Sequence, residues 1–424
     1  MMMFLYTLLL YLIQPLIWIY LLIRSIKEPS YRKRWFERYG YCMTKIKPHG
    51  ILLHAVSVGE TLTAIPLIRS LRHYYPNLPI TVTTMTPTGS EQVTSILGKE
   101  VYHSYLPYDL PGSIHRFLNI VQPILVIILE TELWPNIIYI LHHHKIPLII
   151  ANTRLSKRSA RKYKKLGIFM RNLLQRITMI AAQSVEDGHH FLNLGLKNTH
   201  LKVIGSLKFD INITPELINK TMKLRYQWAS HRLVWIVTST HEGEEAIVLS
   251  VYQSLLLKFP HLLLVLVPRH PQRFKKVFNL TYKLGFEVIL RSSGKIPSST
   301  TQVVIVDSIG ELMLLYGIAD LAFIGGSLVK CGGHNPLEAA VYSIPILTGP
   351  YIWNFKNICS KLYQGKGLII VKDKKSLEKE ITTLLENKNY RNQYGYNAAL
   401  ILYQNQGTLQ RLLQLLEPYL PPRA

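Results

Sequence analysis

Two series of strand-length apolar runs, separated by helix-like stretches, confine this chain to a narrow set of folds. The first series is 50–56, 79–84, 124–129, 147–151 and 177–182. The second is 233–238, 262–267, 303–306, 321–324, 345–347 and 367–371. A strand with one face in water alternates apolar and polar residues. These runs are apolar almost throughout, as expected of parallel sheets covered by helices on both faces. The break between the series falls at 205–216, where Pro215 opens a new helix. At 424 residues the chain also exceeds one ordinary domain. The fold class expected is therefore α/β: two Rossmann-like, doubly wound domains with a cleft between them and ligands at the strand C-termini facing it.

Composition narrows the partners. Lys and Arg exceed Asp and Glu by +24, which calls for an anionic partner or surface. No basic-aromatic module of the nucleic-acid-binding kinds occurs, so nucleic acid is not expected and a phosphorylated lipid surface is. The three cysteines, Cys42, Cys331 and Cys359, lie far apart without metal-ligand spacing. Residues 1–23 hold no charge, and as one helix they would span about 34 Å, enough for a hydrocarbon core of about 30 Å. Basic residues follow rather than precede this run (Arg24, Lys27, Arg32, Lys33, Arg34, Arg38), unlike a cleaved signal peptide. The expectation is one N-terminal transmembrane helix over 1–23 and a basic juxtamembrane segment over 24–47, with the remaining chain in the cytoplasm.

The loops after the strands carry the candidate chemistry. Glu60, in Ser57-Val58-Gly59-Glu60, opens the first helix; it is either a dipole-favoured cap or a general base. Glu130 and Glu132 leave a buried strand, where two acids are costly unless solvated or used. Lys208 stands at the domain junction, as a linker residue or an anion ligand. In the second half, Ser239–Glu245 offers hydroxyls and helix-start amides, and Pro268-Arg269 could hold a phosphate. Ile309-Gly310-Glu311 lies within reach of a base or ribose. FIGGSLVKCGGHNPLE, 323–338, ends a strand on two glycine pairs, whose amides could approach a phosphate, and starts a helix at Asn335-Pro336-Leu337-Glu338. No GxxxxGK[ST] loop and no Asp-x-Asp follows a strand, which argues against ATP hydrolysis and against a metal-held nucleotide sugar.

In order along 50–358, HAVSVGE, TTMTPTGSE, ETELWPN, NTRLS, GSLKFD, STHEGEE, PRHPQRF and FIGGSLV…GGHNPLEAA resemble the motifs of the 3-deoxy-D-manno-oct-2-ulosonic acid (Kdo) transferases. The resemblance implies a glycosyltransferase of the two-Rossmann GT-B type at the inner membrane. It implies transfer of Kdo from CMP-Kdo to the lipid A precursor, with inversion and with neither cofactor nor metal. Glu60 then matches the proton acceptor, and Glu130 and Lys208 match transition-state stabilisers. Pro268, Arg269, Ile309, Gly310, Glu311, Asn335, Pro336, Leu337 and Glu338 match CMP contacts. On this reading 48–208 binds the acceptor and 209–424 the CMP-sugar. Residues 154–176 are basic and amphipathic and free of Asp and Glu, which suits an anionic bilayer. The competing reading is a UDP-sugar-dependent GT-B enzyme, either a lipid glycosyltransferase or a 2-epimerase.

Overall fold

The computed structural model describes residues 1–42 and 45–423, so positions 43–44 of the expected juxtamembrane segment, and residue 424, lie outside it. The chain forms two α/β units, Met1–Asp210 with Gly407–Ala424, and Ile211–Gln406. The expected second domain, 209–424, therefore gives up its last segment. Thr408–Leu416 forms a helix whose Leu412, Leu413 and Leu416 pack into the first unit's core, on the sheet face that also holds Ile51, Leu53 and Ile127.

The first sheet contains β1 (Ile51–His54), β2 (Ile80–Thr84), β3 (Tyr102–Tyr105), β4 (Leu125–Leu129), β5 (Leu148–Thr153), β6 (Met179–Ala182) and β7 (Leu201–Val203). All its pairs are parallel, in the order β3-β2-β1-β4-β5-β6-β7. Successive residues alternate between two cores: Leu125 and Ile127 face one, Val126 and Ile128 the other. That is why the central runs read as continuously apolar.

The second sheet contains β8 (Val234–Thr240), β9 (Leu263–Pro268), β10 (Val288–Leu290), β11 (Val303–Ile305), β12 (Leu321–Ile324), β13 (Ile346–Thr348) and β14 (Leu368–Ile370), in the order β10-β11-β9-β8-β12-β13-β14. Each sheet reverses its winding once, between β1 and β4 and between β8 and β12. Loops leaving the C-terminal ends of those neighbours diverge and leave a crevice.

The single spanning helix expected over 1–23 is not what forms. Helix α1 (Met2–Leu12) and helix α2 (Gln14–Lys27) meet at a 43° bend, and among the described residues no single helix is long and apolar enough to cross a membrane. Pro15 causes the break, because it has no N–H to donate and its ring crowds the preceding turn. The Gln14 side chain donates to the Leu10 carbonyl at 2.8 Å and accepts from the Tyr39 hydroxyl at 2.9 Å. The segment that follows is folded onto the first unit rather than left as a basic tether. Arg34 pairs with buried Glu37 at 2.7 Å, and Glu37 accepts from the Tyr105 amide. Arg38 lies over the Tyr105 ring at 4.3 Å and donates to the Met85 carbonyl. Those two arginines are spent on the fold.

Candidate functional site

In the first unit the winding reversal puts the β1 and β4 loops side by side. Ser57, extended at φ −127°, precedes helix α3 (Val58–Tyr74), so Glu60 falls in its first turn. The carboxylate turns back: Oε2 accepts from the Val56 amide at 2.7 Å and Oε1 from the Ser57 hydroxyl at 3.0 Å. Burial pushes its pKa up to about 7; those hydrogen bonds pull the other way, while Glu130 and Glu132 push further. Glu132 is itself raised, first by burial and then by Glu130.

Glu130 leaves β4 in the left-handed region at φ 60°, which swings its side chain off the strand. There it pairs with Lys208 Nζ at 3.6 Å, each side chain about one-third exposed or less (34% and 26%). The loop bearing Lys208 is fixed by Asn152 at the end of β5, whose Oδ1 accepts from the Leu207 amide. Asp210 then accepts from the amides of Gly407 and Leu409, clamping the returning C-terminal segment. Three of the residues singled out in the sequence (Glu60, Glu130 and Lys208) thus share one corner. A half-buried carboxyl whose pKa is raised to about 7, beside the Lys208–Glu130 pair, can take a proton from a hydroxyl and hold an anion at once.

In the second unit the loops after β8, β9, β11 and β12 carry the remaining candidates. Pro268 ends β9, and Arg269 follows with its amide bonded to the Thr240 carbonyl and its side chain exposed. Asn335 Nδ2 donates to Glu338 Oε1 at 3.3 Å, and Asn335 Oδ1 accepts from the Leu337 amide. Burial raises the Glu338 pKa, opposed by Asn335 and by the Arg269 guanidinium. Pro336 and Leu337 lead into a helix of one turn, Leu337–Ala340. Gly310, at φ 90°, and exposed Ile309 precede Glu311. Although burial pushes Glu311 up, Ser308 and Arg291, the latter at 2.8 Å, hold it below its usual value. Arg269 and Glu338 are therefore brought together, whereas Glu311 is committed to Arg291.

The glycine loop differs from expectation. Gly325 is required because a Cβ would stand 2.7 Å from the Thr238 and Ser239 carbonyls. The amides that follow do not wait for a phosphate. Those of Gly326, Ser327 and Leu328 donate to the fully buried Glu244 carboxylate at 2.7–2.9 Å, and the His241 amide is a fourth donor. Glu244 thus pins the β12 loop to the β8 loop. Sequence reasoning missed this, although two adjacent acids at a helix start behind Gly243 were a signal of buried use.

Sequence reasoning also missed an imidazole cluster beside Arg269. His241 stacks on His334 at 10° with Nε2 atoms 3.0 Å apart, and His270 meets His241 edge-on. Burial, then Arg269, depresses His334 to about 4. Among the described residues no three His, Cys, Asp or Glu side chains could hold a metal ion.

Comparison with known proteins bears on both units. Residues 33–211 match the family described as 3-Deoxy-D-manno-octulosonic-acid transferase (kdotransferase). Over 420 residues the chain is 47% identical to the 3-deoxy-D-manno-octulosonic acid transferase of Haemophilus influenzae, spanning 98% of each. A probable mitochondrial 3-deoxy-D-manno-octulosonic acid transferase of Arabidopsis thaliana is 33% identical over 90% of this chain and 88% of its own. Among solved structures, the UDP-GlcNAc 2-epimerase from Neisseria meningitidis aligns with 87% of this chain and 100% of its own at a TM-score of 0.58. At 15% identity that likeness is one of fold alone, and it supports the GT-B type. Identity of 47% along nearly the whole length goes well beyond a shared fold, and the chain belongs to the 3-deoxy-D-manno-octulosonic acid (Kdo) transferase family.

Proposed function

We propose that this protein transfers Kdo from CMP-Kdo to a hydroxyl of the lipid A precursor, a step of lipopolysaccharide core biosynthesis, at the cytoplasmic face of the inner membrane. The observation that carries the reading is Glu60: a carboxyl at a strand-end crevice, raised to about 7 and set beside the Lys208–Glu130 pair. A helix cap has no need of that pKa, whereas a general base working near neutrality does. Glu60 takes the acceptor proton as the new C–O bond forms at the anomeric carbon. The electron pair of the breaking bond leaves with CMP, so the products are the glycoside, CMP and a proton on Glu60.

Lys208, held by Glu130, offers its charge to the Kdo carboxylate or to the charge developing at the reacting centre. In the second unit Arg269 offers a bidentate phosphate contact, with the Asn335–Glu338 pair for ribose hydroxyls. Ile309, Gly310 and Glu311 form the side toward the base. CMP is a good leaving group, so these groups suffice for the charge and no metal or cofactor is required. The apolar outer faces of α1 and α2 suit insertion into a bilayer as a bent pair, with Phe4, Leu12, Leu16 and Ile23 each more than 60% exposed. The epimerase alternative rests only on a fold likeness at 15% identity and is not favoured.

Purified protein incubated with CMP-Kdo and the acylated, bisphosphorylated disaccharide should release CMP and give products heavier by whole Kdo units. UDP-GlcNAc should be neither consumed nor epimerised. Turnover of UDP-GlcNAc, or no product with CMP-Kdo, overturns the reading.

A further inference from the structure

Between α1 and the first unit's body runs an apolar groove with a cavity volume of about 560 Å³. Leu5 and Leu9 of α1 form one wall. Phe169 and Leu173, on the helix Ile168–Leu174, form the other, and Leu133 and Trp134 form the floor. The groove is built rather than incidental. Helix α1 is pinned by polar bonds: the Tyr6 hydroxyl donates to Asp109 Oδ2 and the Thr7 hydroxyl to Asn136 Oδ1, each at 2.9 Å. Asp109 is locked in turn by the amides of Asn136 and Ile137. Apolar walls held by such bonds cannot close on one another, and Leu5 and Leu9 remain 53% and 57% exposed although they face the protein. Leaving such surface uncovered is unfavourable unless something apolar occupies the space.

The polar lining of the groove says what that occupant is. Thr131 and Glu132 line it, and Glu132 is one of the carboxylates that lift Glu60. Along the rim, Tyr163 and Leu166 line the groove while Lys162, Lys164 and Lys165 of the same stretch are exposed. An apolar trough of this volume is of small-molecule size. With cations beside it and Glu132, the neighbour of Glu60, in its lining, it fits an anionic amphiphile with its polar group toward Glu60. A straight spanning helix at 1–23 would not provide this wall; the break at Pro15 lets α1 lie along the body.

We propose that this groove binds one acyl chain of the anionic lipid acceptor, holding its head-group hydroxyl at Glu60; the inference rests on the Kdo-transfer reading above. The chain then acts as a specificity element. Acceptors differing only in acylation are discriminated by α1, and the basic rim takes the phosphate that accompanies the chain.

The test uses the full-length protein in anionic vesicles and two acceptors, the tetraacylated disaccharide bisphosphate and the same headgroup stripped of its chains. Leu5→Trp with Leu9→Trp fills the trough from groove-facing positions that are more than half exposed, so the fold is kept, as an unchanged melting curve should verify. The preference for the acylated over the deacylated acceptor, as a ratio of kcat/KM, should fall about tenfold or more, equal to about 1.4 kcal/mol. A ratio within about twofold of wild type overturns the proposal, while failure of the wild type on both acceptors condemns the Kdo-transfer reading instead. A diazirine on one acyl chain of the acceptor gives a readout independent of turnover. Photolysis should label peptides from 1–12 and 166–173, and unlabelled acceptor should suppress this. Labelling elsewhere, or equal suppression by phosphatidylglycerol, shows that the groove holds no acceptor or merely bulk lipid.

Discussion

Replacing Glu60 by Gln separates the two roles open to a carboxylate at a helix start, because they predict opposite changes in stability. As a cap, Glu60 would stabilise its helix, and the amide would cost about 0.3–1 kcal/mol while leaving transfer intact. Burial of the carboxyl works in the opposite direction. The folded pKa is raised from 4.5 to about 7, mainly by burial. A raised carboxyl contributes stability that is fully present below its unfolded pKa and lost as pH climbs through the folded value. The charged form is therefore a burden at pH 8, on the order of 2 kcal/mol once partial solvent screening is allowed for.

Glu60→Gln keeps the Val56 hydrogen bond and never ionises. Its melting temperature should match wild type near pH 4.5, rise above it between pH 4.5 and about 7, and keep a constant lead at higher pH. Transfer should fall about a hundredfold to ten-thousandfold, the usual cost of a lost general base. In wild type, kcat/KM should rise about tenfold per pH unit up to about 7 and then level off. Differential scanning calorimetry across pH 4.5–9 and initial rates on the same samples provide both readouts. An amide variant that is less stable at pH 8 yet turns over within a few-fold of wild type would refute the base assignment.

Arg269→Ala should weaken CMP-Kdo binding by about 1.5–3 kcal/mol, the worth of a charged hydrogen bond, with the acceptor KM unmoved; calorimetric titration with CMP measures it. Glu244→Gln sets an amide N–H₂ against two of the four amide donors, either Gly326 and His241 or Ser327 and Leu328, so donor binding and the second unit's stability should both drop, the latter by about 3 kcal/mol or more. Ending the chain at Gln406 strips Leu412, Leu413 and Leu416 from the first unit's core, at roughly 2 kcal/mol each. That total approaches the whole stability of a domain, and proteolysis should degrade the first unit while leaving 211–406 resistant. Transfer by dialysed enzyme should persist in excess EDTA; loss reversed by magnesium would contradict the metal-free reading.

The sequence by itself determined the central strands, because a strand buried on both faces is apolar at nearly every position. The same logic hid two of the four edges: β3 and β7 terminate the first sheet and are at most half buried, so no apolar run marks them, whereas the edge strand β14 stays largely buried and was legible. The strand-end positions of Glu60, Glu130, Lys208, Arg269 and Glu338 were legible too, since a loop's place in a doubly wound sheet follows from strand order. Tertiary structure alone decided what those residues experience. The Glu60 pKa depends on burial and on carboxylates 70 and 72 residues further along the chain. The glycine-loop amides belong to Glu244, Arg34 and Arg38 serve the fold, and the last helix returns to the first core. Residues 1–23 read as one long apolar helix, yet Pro15 bends them and Tyr6 and Thr7 tie α1 to Asp109 and Asn136, each partner more than 100 residues away in the chain. Local pattern reports how apolar a segment is; which neighbour covers it, and which charge its donors and acceptors meet, is settled only when distant segments pack together.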